Sequence, residues 1–149
     1  MSDDDPLALD RQVCFALAVA NRAVLAVYRP LLEPMGLTHP QYLVMLALWE
    51  SSPRSVKEIA AALQLDSPTL SPLLKRLEAA GLLVRTRSRS DERQLAVELT
   101  ADGAELRTLA ENIPPAVVER LGVDITELEE LRTVLGRINR AAIDAGALQ

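Results

Sequence analysis

Helix-start signatures recur along this chain at intervals too short for long helices in its central part. Thr38-His-Pro-Gln41 and Ser55-Val-Lys-Glu58 both have the form of a capping box, with Ser or Thr at the N-cap and Gln or Glu three residues later. Ser67-Pro68 offers an N-cap followed by proline at the first helical position. Thr100-Ala-Asp-Gly103 and Thr126-Glu-Leu-Glu129 open two more helices. These punctuation marks predict helices over 38–51, 56–63, 67–80, 101–112 and 126–145. A proline pair, Pro114-Pro115, is expected to break the fourth of them, with a short helix following before Thr126. Upstream, Leu9, Val13, Leu17, Val24, Tyr28, Leu31 and Leu32 recur on one face of a long helix over 7–33. Between Cys14 and Ala20 that helix is apolar on nearly every side, which suggests a subunit interface. Pro30 should distort its last turns, and Pro72 should loosen and bend the start of the 67–80 helix.

The period changes only once. Leu83 to Ser88 and Gln94 to Leu99 partly alternate apolar and polar residues around the charged stretch Arg89-Ser-Asp-Glu-Arg93, which reads as a β-hairpin. The chain is therefore mainly α-helical with a small β-hairpin wing. Two short helices joined by the tight connector Leu65-Asp66 precede the wing, matching a winged helix-turn-helix over 37–100. The segments 1–36 and 101–149 would be dimerisation helices of the same single domain.

Charge locates a function on this frame. The net charge is −5, which excludes bulk coating of nucleic acid but not a local basic patch. Residues 75–93 carry +3 while the remainder carries −8. Lys75, Arg76, Arg85, Arg87, Arg89 and Arg93 supply the basic charge, on the second short helix and the hairpin. An acidic body with one basic edge steers that edge onto phosphate. Ser67, Thr69 and Ser71 fall in the first turns of the helix, where base edges are met. Lys75, Arg76 and Arg85 suit phosphates, and Arg93 is long enough to enter a minor groove, with Asp91 aiming its guanidinium. The bland alternative is a solvated surface of mixed charge.

Other function classes lose ground. Aromatic residues are only 3% of the chain, fewer than base-stacking single-strand binders use. One cysteine, Cys14, and one histidine, His39, exclude an internal disulfide and leave no material for a Cys-based zinc site or a good Ser-His-Asp triad. No cofactor or metal is expected, nor catalysis. No uninterrupted apolar run approaches 18 residues and the N-terminus is acidic, so a cytoplasmic protein without a membrane span is expected.

This arrangement resembles the MarR family of winged-helix transcriptional regulators. The wing pattern Asp91-Glu-Arg93, the run Leu95 to Leu99 and the exit Thr100-Ala-Asp-Gly103 carry the likeness. A narrower resemblance, to the organic-hydroperoxide regulators of the OhrR subgroup (one-cysteine type), rests on Gln12-Val-Cys-Phe15, Tyr28-Arg-Pro-Leu-Leu32, and Gly36 through Glu50. It continues through Leu65-Asp-Ser-Pro-Thr-Leu-Ser-Pro-Leu-Leu-Lys-Arg76. The resemblance implies a homodimeric repressor bound to a palindromic operator in double-stranded DNA. It implies that Cys14 is a peroxide-sensing thiol, and that Asp66, Ser67, Thr69, Arg76, Arg85, Asp91 and Arg93 touch DNA or support such contacts. Ala18 and His39 stand where that subgroup tends to carry tyrosine.

A lone cysteine on an apolar helix is ordinarily a small buried hydrophobe. A sensor thiol needs access and donors, and the candidates are Tyr28 and His39. Cys14 and Tyr28 are separated by about 21 Å along one helix at 1.5 Å per residue, so any contact between them needs a second copy of the chain. Oxidation would lower operator affinity, and a low-molecular-weight thiol could cap the oxidised sulfur. The alternative within DNA binding is a repressor released by a small aromatic ligand, with Cys14 structural.

Overall fold

In the computed structural model, residues 5–87 and 95–147 are described. After a 3-10 turn at Leu9–Arg11, helix α1 spans Val13–Leu32. The periodicity had predicted a start near residue 7. The helix begins later because Gln12 is extended and its side-chain amide donates back to the carbonyls of Pro6 and Ala8. Pro30 is accommodated within the last turn. A second 3-10 turn, Glu33–Met35, leads into α2 (His39–Glu50). Thr38 caps α2 with the full reciprocal box: the Gln41 amide donates to Thr38 Oγ1 and the Thr38 amide to Gln41 Oε1.

Strand β1 (Arg54–Ser55), helix α3 (Val56–Leu63) and helix α4 (Ser67–Ala79) follow. Strands β2 (Leu83–Arg87) and β3 (Leu95–Leu99) form the wing, and the sheet order is β1-β3-β2, all antiparallel. The third strand was not expected. It is two residues long, pairing Arg54 with Val97 and Ser55 with Ala96, too short to show a period of two. Helices α5 (Ala101–Ala110), α6 (Ile113–Leu121) and α7 (Ile125–Asp144) complete the chain. The helix breaks between α5 and α6 as expected from the Pro114-Pro115 pair, and the two prolines lie in the first turn of the short helix that follows, where proline is tolerated. Asp124, not Thr126, caps α7, accepting from the Thr126 amide.

The core is centred on α2. Val44, Met45 and Leu48 of α2 meet Ile59 of α3, Leu70, Leu74 and Leu77 of α4, and Leu83 and Val97 of the wing, all 1% exposed or less. Of the terminal helices, only the C-terminal end of α1 reaches it, with Val27, Tyr28 and Leu31 packed against the core and Leu32 within it. α1 buries only Leu32 and α7 buries nothing, although each is 20 residues, about 30 Å, long. Val13, Phe15, Leu17 and Val19 on α1 and Ile125, Leu131, Val134, Ile138 and Ile143 on α7 are exposed. By length and composition alone, Val13–Met35 contains a stretch apolar enough to cross a membrane, with a mean hydropathy of 1.3, despite Arg22 and Arg29 within the segment.

One joint ties the helical frame to the wing. Trp49 Nε1 on α2 donates to the carbonyl of Gly103 on α5 at 2.9 Å. Thr100 caps α5, and its hydroxyl donates to Gly81 O at 2.6 Å while its amide donates to Leu82 O. Gly103 is required here: a Cβ would press into the Leu82 carbonyl oxygen, lie 3.0 Å from its carbon and 3.3 Å from Leu99 Cδ2. The start of α5 is thereby seated on the α4–β2 turn.

Candidate nucleic-acid interface and thiol site

Helix α4 presents two faces. Leu70, Leu73, Leu74 and Leu77 are buried, while Ser67, Thr69, Ser71, Lys75 and Arg76 are exposed together on the other side. Ser67 is not the N-cap. Asp66 takes that position and accepts the Thr69 amide at 2.7 Å, leaving Ser67 as the first helical residue. Both residue types cap well, so the pair Asp66-Ser67 was ambiguous by one position. The hydrogen bonds from Thr69 hold the Asp66 carboxyl below the usual aspartate range. α4 runs unbroken from Ser67 to Ala79 through Pro72, with no loosened start.

On the wing, Arg87 is exposed at the end of β2. Arg85 is already engaged: its Nη2 donates to Glu78 Oε1 at 3.1 Å and its backbone amide to Glu78 Oε2 at 3.0 Å. In the sequence, Glu78 stands out only as a negative charge within the basic stretch. A carboxylate one turn beyond the Lys75-Arg76 pair, seven residues before a strand arginine, was the available signal. Asp91 and Arg93 lie outside the described residues.

Cys14 is exposed near the start of α1. Tyr28 and His39 do meet, ring edge to ring face, with centroids 4.9 Å apart. Tyr42 joins them at 6.0 Å from Tyr28 and 6.2 Å from His39. Tyr42 was not singled out from the sequence, although it follows His39 by three residues, the spacing of helix neighbours. Burial raises the hydroxyl pKa of Tyr28, and burial together with the nearby Tyr28 raises that of Tyr42. Burial lowers His39, which also sits at the positive end of α2, where an imidazolium is disfavoured. The cluster is thus a neutral set of hydrogen-bond donors. It lies half an α1 length or more from Cys14 of the same chain, about 21 Å at Tyr28. A groove of about 360 Å³ also opens between α2, α5 and α6, lined by Tyr42, Leu46, Trp49, Arg107 and Pro114.

Comparison with known proteins fits this geometry. Residues 26–108 match the family model "Transcriptional regulator SarA/Rot". The chain is 40% identical over 131 residues to the organic hydroperoxide resistance transcriptional regulator of Bacillus subtilis, covering 88% of this chain and 89% of that one. The chain belongs to the MarR family of winged-helix transcriptional regulators. It is 48% identical over 128 residues to the HTH-type transcriptional regulator TtmR of Methylorubrum extorquens, a match spanning 86% of this chain and 66% of that longer relative. The structure of reduced AbfR bound to DNA superposes with a TM-score of 0.80 at 33% identity, covering 97% of this chain and 99% of that one. This MarR-family protein is thus a DNA-binding transcriptional regulator, from a family of regulators rather than enzymes.

Proposed function

We propose that this protein is a homodimeric repressor that senses organic hydroperoxides through Cys14 and releases a palindromic operator when oxidised. The observation that carries the reading is the placement of a thiol and an aromatic cluster toward opposite ends of α1. An exposed thiol lies near the start, and a cluster of neutral donors, Tyr28, His39 and Tyr42, lies at the far end. Two copies of α1 crossing antiparallel bring each Cys14 to the other copy's cluster. The exposed apolar residues of the first half of α1 and along α7 support such a pairing, because they leave two long apolar faces without cover. Residues 1–36 and 101–149 then serve dimerisation, and 37–100 serve DNA, in one cytoplasmic protein.

The chemistry is a two-electron oxidation. The Cys14 thiolate attacks one oxygen of the hydroperoxide, an S–O bond forms as the O–O bond breaks, and the departing alkoxide takes a proton and leaves as an alcohol. Tyr28 and Tyr42 hydroxyls donate to the thiolate before attack and stabilise its charge. With one cysteine in the chain, the sulfenic acid condenses with a low-molecular-weight thiol, expelling water, or oxidises further. Either product adds bulk and polarity to the α1 contact and changes the separation of the two wings. Half-sites one helical turn apart tolerate little such change. DNA is held by the exposed hydroxyls of α4, by Lys75 and Arg76, and by the wing.

The test is binding to DNA from the protein's own promoter region, titrated with an organic hydroperoxide, for the wild type and Cys14→Ser. Release by the wild type and retention by the variant are expected. Oxidised wild type binding as tightly as reduced protein overturns the mechanism. Release of both proteins by a small aromatic compound, with no effect of peroxide, supports the second reading, in which the groove beside Trp49 and Arg107 holds the ligand.

A further inference from the structure

The reading of α4 and the wing as a DNA-binding edge leaves one residue unexplained. Glu78 is an acidic group in the middle of the basic stretch, where bare electrostatics would oppose phosphate. Its surroundings account for it. β2 is an edge strand of the sheet. The Thr100 amide bonds the Leu82 carbonyl, which sets the phase of the β2–β3 ladder. With that phase, residues 82, 84 and 86 face β3 with their backbone groups, and the Arg85 amide points off the free edge. Glu78 Oε2 accepts that amide, and Glu78 Oε1 accepts the guanidinium of the same residue. Only residues 80–82 connect α4 to β2, and a three-residue turn alone leaves the pitch of the strand unset.

We propose that Glu78 is a positioning residue that fixes the wing against the recognition helix α4, so that operator affinity depends on this carboxylate. Both of its oxygens act on one strand residue, one through the backbone and one through the side chain. The backbone bond holds the strand, and the guanidinium bond holds the Arg85 side chain along the edge of α4. The wing and α4 then meet DNA as one preformed surface rather than two hinged ones.

The experiment uses the full-length protein and its promoter DNA, measured by fluorescence anisotropy across a series of salt concentrations, for the wild type, Glu78→Ala and Glu78→Gln. Glu78→Ala is expected to bind about tenfold more weakly, the scale of one lost charge-assisted hydrogen bond, with an unchanged salt slope. Glu78→Gln keeps an oxygen for the Arg85 amide and should fall between the two. Amide hydrogen exchange at Arg85 should quicken in Glu78→Ala and stay slow in Glu78→Gln. Tighter binding by Glu78→Ala, with a salt slope steeper by about one phosphate contact, is what simple charge removal gives and overturns the proposal. Equal binding overturns it too. If Glu78→Ala does not fold, Glu78→Gln decides: weaker binding supports the proposal, and equal or tighter binding refutes it. Absence of specific binding by the wild type refutes the DNA-edge reading instead, and exchange at Arg85 then decides the role of Glu78 alone.

Discussion

Replacing Gly103 with alanine tests the joint between the helical frame and the wing. The added Cβ would be driven into the backbone of Leu82, with the carbonyl carbon at 3.0 Å and the carbonyl oxygen nearer still. Restoring ordinary carbon contact, about 3.5 Å, requires α5 and the α4–β2 turn to separate. Both atoms concerned are backbone, so no side chain can swing away, and the cost belongs at the upper end of overpacking, about 3 kcal/mol. The same separation stretches the Trp49–Gly103 hydrogen bond, worth about 1 kcal/mol. Alanine returns about 1 kcal/mol through better helix propensity. The net loss is about 3 kcal/mol. For a domain of this size that corresponds to a melting temperature lower by about 10 °C. The assay is thermal unfolding followed by circular dichroism, with both proteins at the same chain concentration because association also moves the midpoint. A midpoint within 2 °C of wild type, or above it, would mean that the α5 start is not seated on Leu82 and would refute the reasoning.

Two further outcomes follow from the titratable groups. His39 has a lowered folded-state pKa, so the unfolded chain binds the extra proton and stability falls as pH drops through about 6.5 toward the folded value. The melting temperature should therefore decline between pH 7.5 and 5.5, and His39→Phe should flatten that slope; an unchanged slope counts against burial of a neutral imidazole. Asp66 has a lowered folded-state pKa, so its cap contributes fully above the ordinary aspartate range and fades as pH falls below it. Asp66→Ala should melt below wild type at pH 7, the difference should narrow near pH 3, and Asp66→Asn should restore most of it because asparagine caps equally well. Equal melting of all three at pH 7 would remove Asp66 from the helix start.

The helices were legible because their starts are local. Thr38, Ser55 and Thr100 each reach a backbone amide three residues on, and nothing distant has to be known. The errors arose where two good caps were adjacent, as at Asp66-Ser67, or two residues apart, as at Asp124 and Thr126. Strand β1 escaped because it is defined by its partner, Val97, 43 residues away in numbering, and by no pattern of its own. The basic edge could be read from charge, but the pairing of Arg85 with Glu78 could not, since it depends on how β2 lies on α4. The meeting of Tyr28, His39 and Tyr42 likewise needs α1 and α2 packed together.

Helix α2 has a mechanical consequence. It carries His39 and Tyr42 at one end, Met45 and Leu48 in the centre of the core, and Trp49, bonded to Gly103, at the other. Twelve residues make a rod of about 18 Å, too short to absorb a bend. One rigid element therefore joins the aromatic cluster to the start of α5, so a displacement at either end of α2 would have to be taken up at the other or by repacking around Met45 and Leu48.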